Sequence, residues 1–199
     1  MNRNTAICVF CGSSDRVGAR YLQAATQLGQ ALGDRGYSLV YGGGATGLMG
    51  RISEAAIQSG AQVIGVIPEI FNTEGRAQRG LSELHVVRDM HTRKAMMAEL
   101  SDAFIALPGG FGTFEELFEI LTWAQIGLHS RPIGLLDVDG YFDPCMALIN
   151  QARDEGFIYV ELRDLFMRHS DPNALLDRMR EFHPPPRLQE WKKREEAIK

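Results

Sequence analysis

Cysteine is scarce in this chain, long apolar runs are missing, and positive charge is slightly outnumbered; each shortage removes a class of protein. Only 3 cysteines occur among 199 residues, too few for the disulfide framework that staples small secreted domains. Two of them, Cys8 and Cys11, form a C-x-x-C. Cys8, however, lies inside the apolar run Ala6-Ile7-Cys8-Val9-Phe10, which reads as strand and not as the helix N-terminus of a thioredoxin-like site. Extended residues three apart are separated by about 10 Å, too far to bridge, so both thiols read as ordinary buried side chains. No apolar stretch approaches the roughly 20 residues that span a bilayer, and the polar start Met1-Asn2-Arg3-Asn4-Thr5 lacks a signal-peptide pattern; a cytoplasmic protein is expected. With 21 basic against 25 acidic residues and a formal charge of -4, the chain offers no broad attraction to nucleic acid or to an anionic membrane. Phosphate recognition, if any, has to be local.

What is present is apolar patterning. A hydrophobic share of 45% over 199 residues supports one substantial core and is too little for two typical domains, so residues 1–183 are read as a single domain. From residue 184 the run Pro184-Pro185-Pro186 and a charged stretch over 190–199 carry little to bury, which predicts a tail or a peripheral helix. Short apolar runs at 7–10, 38–41, 63–67, 84–87, 103–107 and 133–136 read as strands. Between and after them, 21–35, 50–59, 90–100, 114–126, 144–155 and 172–182 have helical length and spacing, with Asp143 and Asp171 placed as N-caps. Strand–helix alternation predicts an α/β fold: a doubly wound, Rossmann-like parallel sheet with helices on both faces, whose ligands bind beyond the carboxyl ends of the strands. Residues 71–82 form the longest expected loop, well suited to cover a site.

Two glycine-rich segments follow predicted strands. Gly42, Gly44 and Gly47 satisfy the dinucleotide-binding pattern G-x-G-x-x-G, and Glu69 follows the next strand at about the spacing of a ribose-binding carboxylate. The pattern sits after the second strand instead of the first, and no hydride-transfer acid or base accompanies it; a tight turn alone would also explain these glycines. The second segment, Pro108-Gly109-Gly110-Phe111-Gly112-Thr113-Phe114-Glu115-Glu116, runs from a strand into an apolar-periodic helix. Glycines that permit close approach, a helix N-terminus that favours negative charge, and the Thr113 hydroxyl together make a monophosphate cradle. The Gly-Lys-Ser/Thr ending of a Walker A loop is missing, which argues against ATP hydrolysis. Glu115 and Glu116 are also what a helix dipole alone would favour in a first turn. Neither a G-x-S-x-G elbow nor metal-ligand spacing around His91 is present.

The block P-G-G-x-G-T-x-x-E from Pro108 to Glu116, with Met90-His91-Thr92-Arg93-Lys94 and the glycine run of residues 42–50, resembles the LONELY GUY (LOG) family, long labelled "possible lysine decarboxylase". The similarity continues through Phe10-Cys11-Gly12-Ser13-Ser14, Thr122-Trp123-Ala124-Gln125 and Gly140-Tyr141-Phe142, covering roughly residues 7 to 165. The resemblance implies a Rossmann-like homodimer that hydrolyses cytokinin riboside 5′-monophosphates, and often AMP, to a free base and ribose 5-phosphate, with no metal or cofactor. Carried over by motif, Arg93 and Glu116 would be the catalytic pair. Lys94, Gly109, Gly110, Phe111, Gly112, Thr113 and Glu115, with Gly43 and Gly44, would contact the nucleotide; Glu74 and Thr122 correspond to further family contacts, although Thr122 is equally readable as a hydroxyl bonded to its own helix. In such a reaction positive charge builds at the sugar carbon, which a carboxylate stabilises while orienting or deprotonating water. Arg93 stays protonated and can hold anionic groups. Competing readings are a nucleotide-binding protein without turnover, a pyridoxal phosphate-dependent decarboxylase and an NAD-linked oxidoreductase.

Overall fold

The computed structural model describes residues 5–158 and 165–185. A seven-stranded, all-parallel sheet runs through it in the order β4-β3-β2-β1-β5-β6-β7. The strands are β1 (Ala6–Phe10), β2 (Ser38–Tyr41), β3 (Val63–Pro68), β4 (Glu83–Val87), β5 (Ala103–Ala106), β6 (Ile133–Leu136) and β7 (Met167–His169). Helices α1 (Ala19–Asp34), α2 (Gly47–Gln58), α3 (Met90–Glu99), α4 (Phe111–Gln125), α5 (Asp143–Asp154) and α6 (Pro172–Arg180) connect or follow them. The α/β doubly wound architecture expected from the sequence is therefore present.

Its cause is visible in the strands. In β1, Cys8 and Phe10 enter the core on one face beside Phe104, Leu117 and Ile120, while Ile7 and Val9 enter the other beside Leu28, Leu32, Leu48 and Ile52. A strand whose alternate residues are both buried reads as a continuous apolar run. Helices α1, α2 and α6 cover the second face and α3, α4 and α5 the first. Edge strand β4 is partly exposed, and β7, the short strand Met167-Arg168-His169, is only half-buried; lacking an apolar run, it had no sequence signature.

Three expectations need correction. Helix α2 starts at Gly47 and not at residue 50. Helix α4 starts at Phe111, so Gly112 and Thr113 belong to its first turn; Gly110, in extended conformation (φ -100°), is the N-cap. Asp143 is not a cap: Phe142 holds that position, and the Asp143 carboxylate is drawn away to Arg168 at 2.5 Å. Asp171 does cap α6, accepting from the Ala174 amide at 2.8 Å. Of the tail expected from residue 184, all but residues 184 and 185 lie outside the described residues.

The chain order places the reversal point between β1 and β5, where a doubly wound sheet opens its ligand crevice. There the turns after the two strands touch: the Gly12 amide donates to the Pro108 carbonyl at 3.1 Å, and a side chain at residue 12 would crowd Gly109.

Candidate active site

Asp89 caps α3 by accepting from the Thr92 amide at 2.7 Å, which sets Arg93 and Lys94 in the helix's first turns at the carboxyl side of β3. The Arg93 Nε donates to the Val66 carbonyl at 3.2 Å. Its Nη2 lies 3.4 Å from Glu116 Oε1, with both side chains largely out of water, at 12% and 8% exposure. The two residues that the motif pairs are thus brought together from separate helices. Burial pushes the Glu116 carboxyl up to about 7, against the opposing pull of Arg93; Glu115 adds to the rise. Such a group is half ionised near neutrality and able to take or hold a proton.

Lys94 is buried and gives its Nζ to Glu119 at 3.0 Å and to Glu115. Burial favours its neutral form, yet these two carboxylates outweigh that and raise its pKa. Lys94 and Glu115, both expected at the nucleotide, are therefore bonded to each other here. Thr113 is buried and packs so closely on Gly109 that any side chain at 109 would overlap its hydroxyl. Gly110 and Gly112, by contrast, face open space, with unpaired first-turn amides available to an anion. Phe111 is 94% exposed beside them. The Tyr141 hydroxyl donates to the Gly109 carbonyl, bracing this loop from the Gly140-Tyr141-Phe142 block.

Beside Arg93 lies a cleft of about 390 Å³ over the carboxyl ends of β1, β2 and β3. Met49, Ile67, Pro68 and Phe71 supply its apolar wall, Ser13 and Thr46 its hydroxyl-bearing positions, Gly42 and Gly44 open backbone, and Arg76 and Arg93 its charge. Thr46 spends its hydroxyl on the Ser13 carbonyl at 2.8 Å. Gly43 has φ +73° and backs onto Ile67. The long loop does border this cleft: residues 72–82 are strapped to the glycine turn by Ala45 N to Arg76 O (2.8 Å), Gln78 N to Gly43 O (2.9 Å) and an antiparallel bridge between Gly44 and Ala77.

The other expected residues lie elsewhere. Glu74 occupies the exposed turn of the strap and does not line the cleft; Glu69 is exposed in a 3-10 turn. Thr122 donates to the Phe118 carbonyl at 2.7 Å and borders a separate groove between α4 and α5. Sequence reasoning missed Arg76 and Phe71, which carry no motif, and gave no role to Ser13, although it sat within a block that pointed here. Cys8 and Cys11 are buried and free, and burial raises both thiols' pKa, leaving them poor nucleophiles. Among the described residues no group of three His, Cys, Asp or Glu is arranged to hold a metal, and no helix is long and apolar enough to cross a membrane.

The sequence profile of the family described as "possible lysine decarboxylase" matches residues 49–179. The chain is 48% identical over 176 residues to "Probable cytokinin riboside 5′-monophosphate phosphoribohydrolase LOGL1" of Oryza sativa subsp. japonica, covering 88% of this chain and 79% of the relative. It is 47% identical over 178 residues to the cytokinin riboside 5′-monophosphate phosphoribohydrolase LOG3 of Arabidopsis thaliana, covering 89% and 83%. Among solved structures, the molybdenum cofactor binding protein of Rippkaea orientalis superposes with a TM-score of 0.70 at 21% identity, over 91% of this chain and 98% of that one; at such identity the likeness is one of fold. The profile match, the extent of the sequence identity and the Arg93–Glu116 pair together place the chain in the LONELY GUY family.

Proposed function

We propose that the protein hydrolyses the N-glycosidic bond of nucleoside 5′-monophosphates whose base is adenine or an N6-substituted adenine, releasing the free base and ribose 5-phosphate. The observation that carries this reading is the buried Glu116 carboxyl, pushed up to about 7 beside Arg93, at the point where a doubly wound sheet holds its ligand. The names of the relatives support the substrate class.

In this reading the 5′-phosphate sits on the first-turn amides of α4 at Gly110–Thr113, where dipole and open backbone favour a dianion. The C1′–N bond breaks with its electron pair passing to the base, which ends with the proton that Glu116 takes from the attacking water. Ionised Glu116 stabilises the positive charge developing at C1′ and accepts the proton of the attacking water, whose oxygen forms the new bond to C1′. Arg93 keeps Glu116 available in its ionised form and counters negative charge on substrate or leaving base. Lys94, bonded to Glu115 and Glu119, ties α3, which carries Arg93, to α4, which carries Glu116, and Thr113 packs the start of α4 against Gly109. Catalysis proceeds without a cofactor.

A homodimer is part of the proposal. Phe118, Ile126, Leu128 and Leu148 are exposed on or after α4 and on α5, apolar side chains of the kind that mark an interface, and Phe118 lines the groove that carries Thr122. Light scattering of the purified protein checks the assembly. The activity is tested by chromatographic detection of free base after incubation with AMP and with N6-isopentenyladenosine 5′-monophosphate. Release by the native protein and its loss in Glu116→Gln is the expected result; nucleotide binding without release by the native protein overturns the hydrolase reading.

A further inference from the structure

Arg76 lines the cleft together with Arg93, but the two cations are in different states. Arg93 faces Glu116 at 3.4 Å. Arg76 makes no ion pair with a carboxylate among the described residues and its side chain is exposed, while its own carbonyl accepts from the Ala45 amide at 2.8 Å. The two residues that follow it along the strap are fixed too: Ala77 bridges Gly44 and Gln78 donates to the Gly43 carbonyl at 2.9 Å. An unspent guanidinium is thereby mounted on a hydrogen-bonded piece of backbone at the wall of the cleft.

The sheet order gives this position a meaning. Helix α4 follows β5, and the cleft lies over the ends of β1, β2 and β3, with Arg93 between the two. A ligand with its phosphate on the α4 amides and its C1′ at Glu116 can reach that cleft with its base by passing Arg93, which borders both. There Met49, Ile67, Pro68 and Phe71 offer an apolar bed for a flat ring, and a guanidinium supplies planar donors to purine ring nitrogens, which are acceptors. Resting on the reading above, we infer that Arg76 is a substrate-contacting specificity residue that recognises the purine base, and not the phosphate, at the far end of the cleft.

The test measures binding by calorimetry in the Glu116→Gln background, so that AMP is not consumed, with and without Arg76→Met. AMP and ribose 5-phosphate, the latter carrying the phosphate and no base, are the two probes. Loss of one charged hydrogen bond predicts AMP binding weaker by about tenfold or more, partly restored by Arg76→Lys, with ribose 5-phosphate affinity unchanged. Because Arg76 is exposed, the melting temperature of each variant stays at the parent's value. Equal weakening of both probes assigns Arg76 to the phosphate and overturns the inference, as does AMP affinity that Arg76→Met leaves unaltered. If the parent protein binds neither probe, the nucleotide-site reading falls and the inference with it. Loss of base release with intact AMP binding in the native protein touches only the hydrolase reading, and Arg76 is still decided by the binding data.

Discussion

Gly42 and Arg93 share one space: a side chain at residue 42 would overlap the Arg93 guanidinium. The glycine turn after β2, which mimics a dinucleotide fingerprint, is thus in part the clearance that lets a cation on α3 reach Glu116 on α4. Since the obstructing atoms are the far end of a flexible side chain, Gly42→Ala should fold and simply move Arg93. Misplacing a catalytic group by about 1 Å can cost on the order of 100-fold. We expect base release to fall roughly 10- to 100-fold with the melting temperature changed by less than about 2 °C, read by kinetics and calorimetric scanning together.

Glu116 links activity and stability through pH. Its carboxyl is raised in the fold from an ordinary value of 4.5 to about 7, so the fold prefers the protonated form. The associated stability is complete below about 4.5 and is lost as pH rises through 7, a change of about 3 kcal/mol. Glu116→Gln lacks this loss. Its melting temperature should exceed that of the native protein at pH 8 and approach it at pH 5, while activity drops by at least about 100-fold. A native-minus-variant difference that does not vary with pH would contradict the raised carboxyl.

Charges around Glu116 set the acid limb of the rate profile, and two of them act in opposite senses. Lys94 lowers the Glu116 pKa and Glu115 raises it. If ionised Glu116 is the working form, Lys94→Met moves the acid limb of kcat/KM to higher pH and Glu115→Gln moves it to lower pH. Lys94→Met also leaves Glu115 and Glu119 without their shared partner, which should cost about 1–3 kcal/mol, seen as a fall of several degrees in melting temperature. Limbs shifting in the same direction would remove Glu116 from the profile.

The glycines divide into those that shape the chain and those that leave room. Gly47 has φ +60°, and a side chain there would lie 2.5 Å from the Ser13 backbone, so Gly47→Ala should destabilise severely. Gly112 sits in the first turn of α4 with nothing within 4 Å of an added Cβ. Gly112→Ala should raise stability by about 0.5–1 kcal/mol, as alanine does in a helix, yet weaken ribose 5-phosphate binding by crowding the anion. A more stable variant with unweakened binding would move the phosphate away from α4.

Much of this was legible in the primary structure because fully buried parallel strands write themselves as apolar runs. What escaped did so for definite reasons. Strand β7 is half-buried and contains Arg168 and His169, so no periodicity announced it. The start of α4 was placed late because glycine and threonine are poor helix formers, whereas here they are tolerated in a first turn whose amides lack helical partners. Asp143 looked like a cap but Arg168 attracts its carboxylate more strongly than the helix does. Arg93 and Glu116 were found through motif resemblance, since no local pattern predicts that two distant helices will aim charges at one point. Arg76 escaped because a strap residue is placed by long-range backbone bonds, which leave no trace in local spacing.

The bridge between Gly44 and Ala77 has a kinetic corollary. With the strap fastened to the glycine turn by main-chain bonds at both Arg76 and Gln78, one wall of the cleft has no hinge of its own, and opening it would require breaking several backbone bonds together. Substrate and product should therefore exchange through a permanently open mouth. Turnover would then show no slow gating phase, and increasing solvent viscosity would slow kcat/KM only when chemistry approaches the encounter rate.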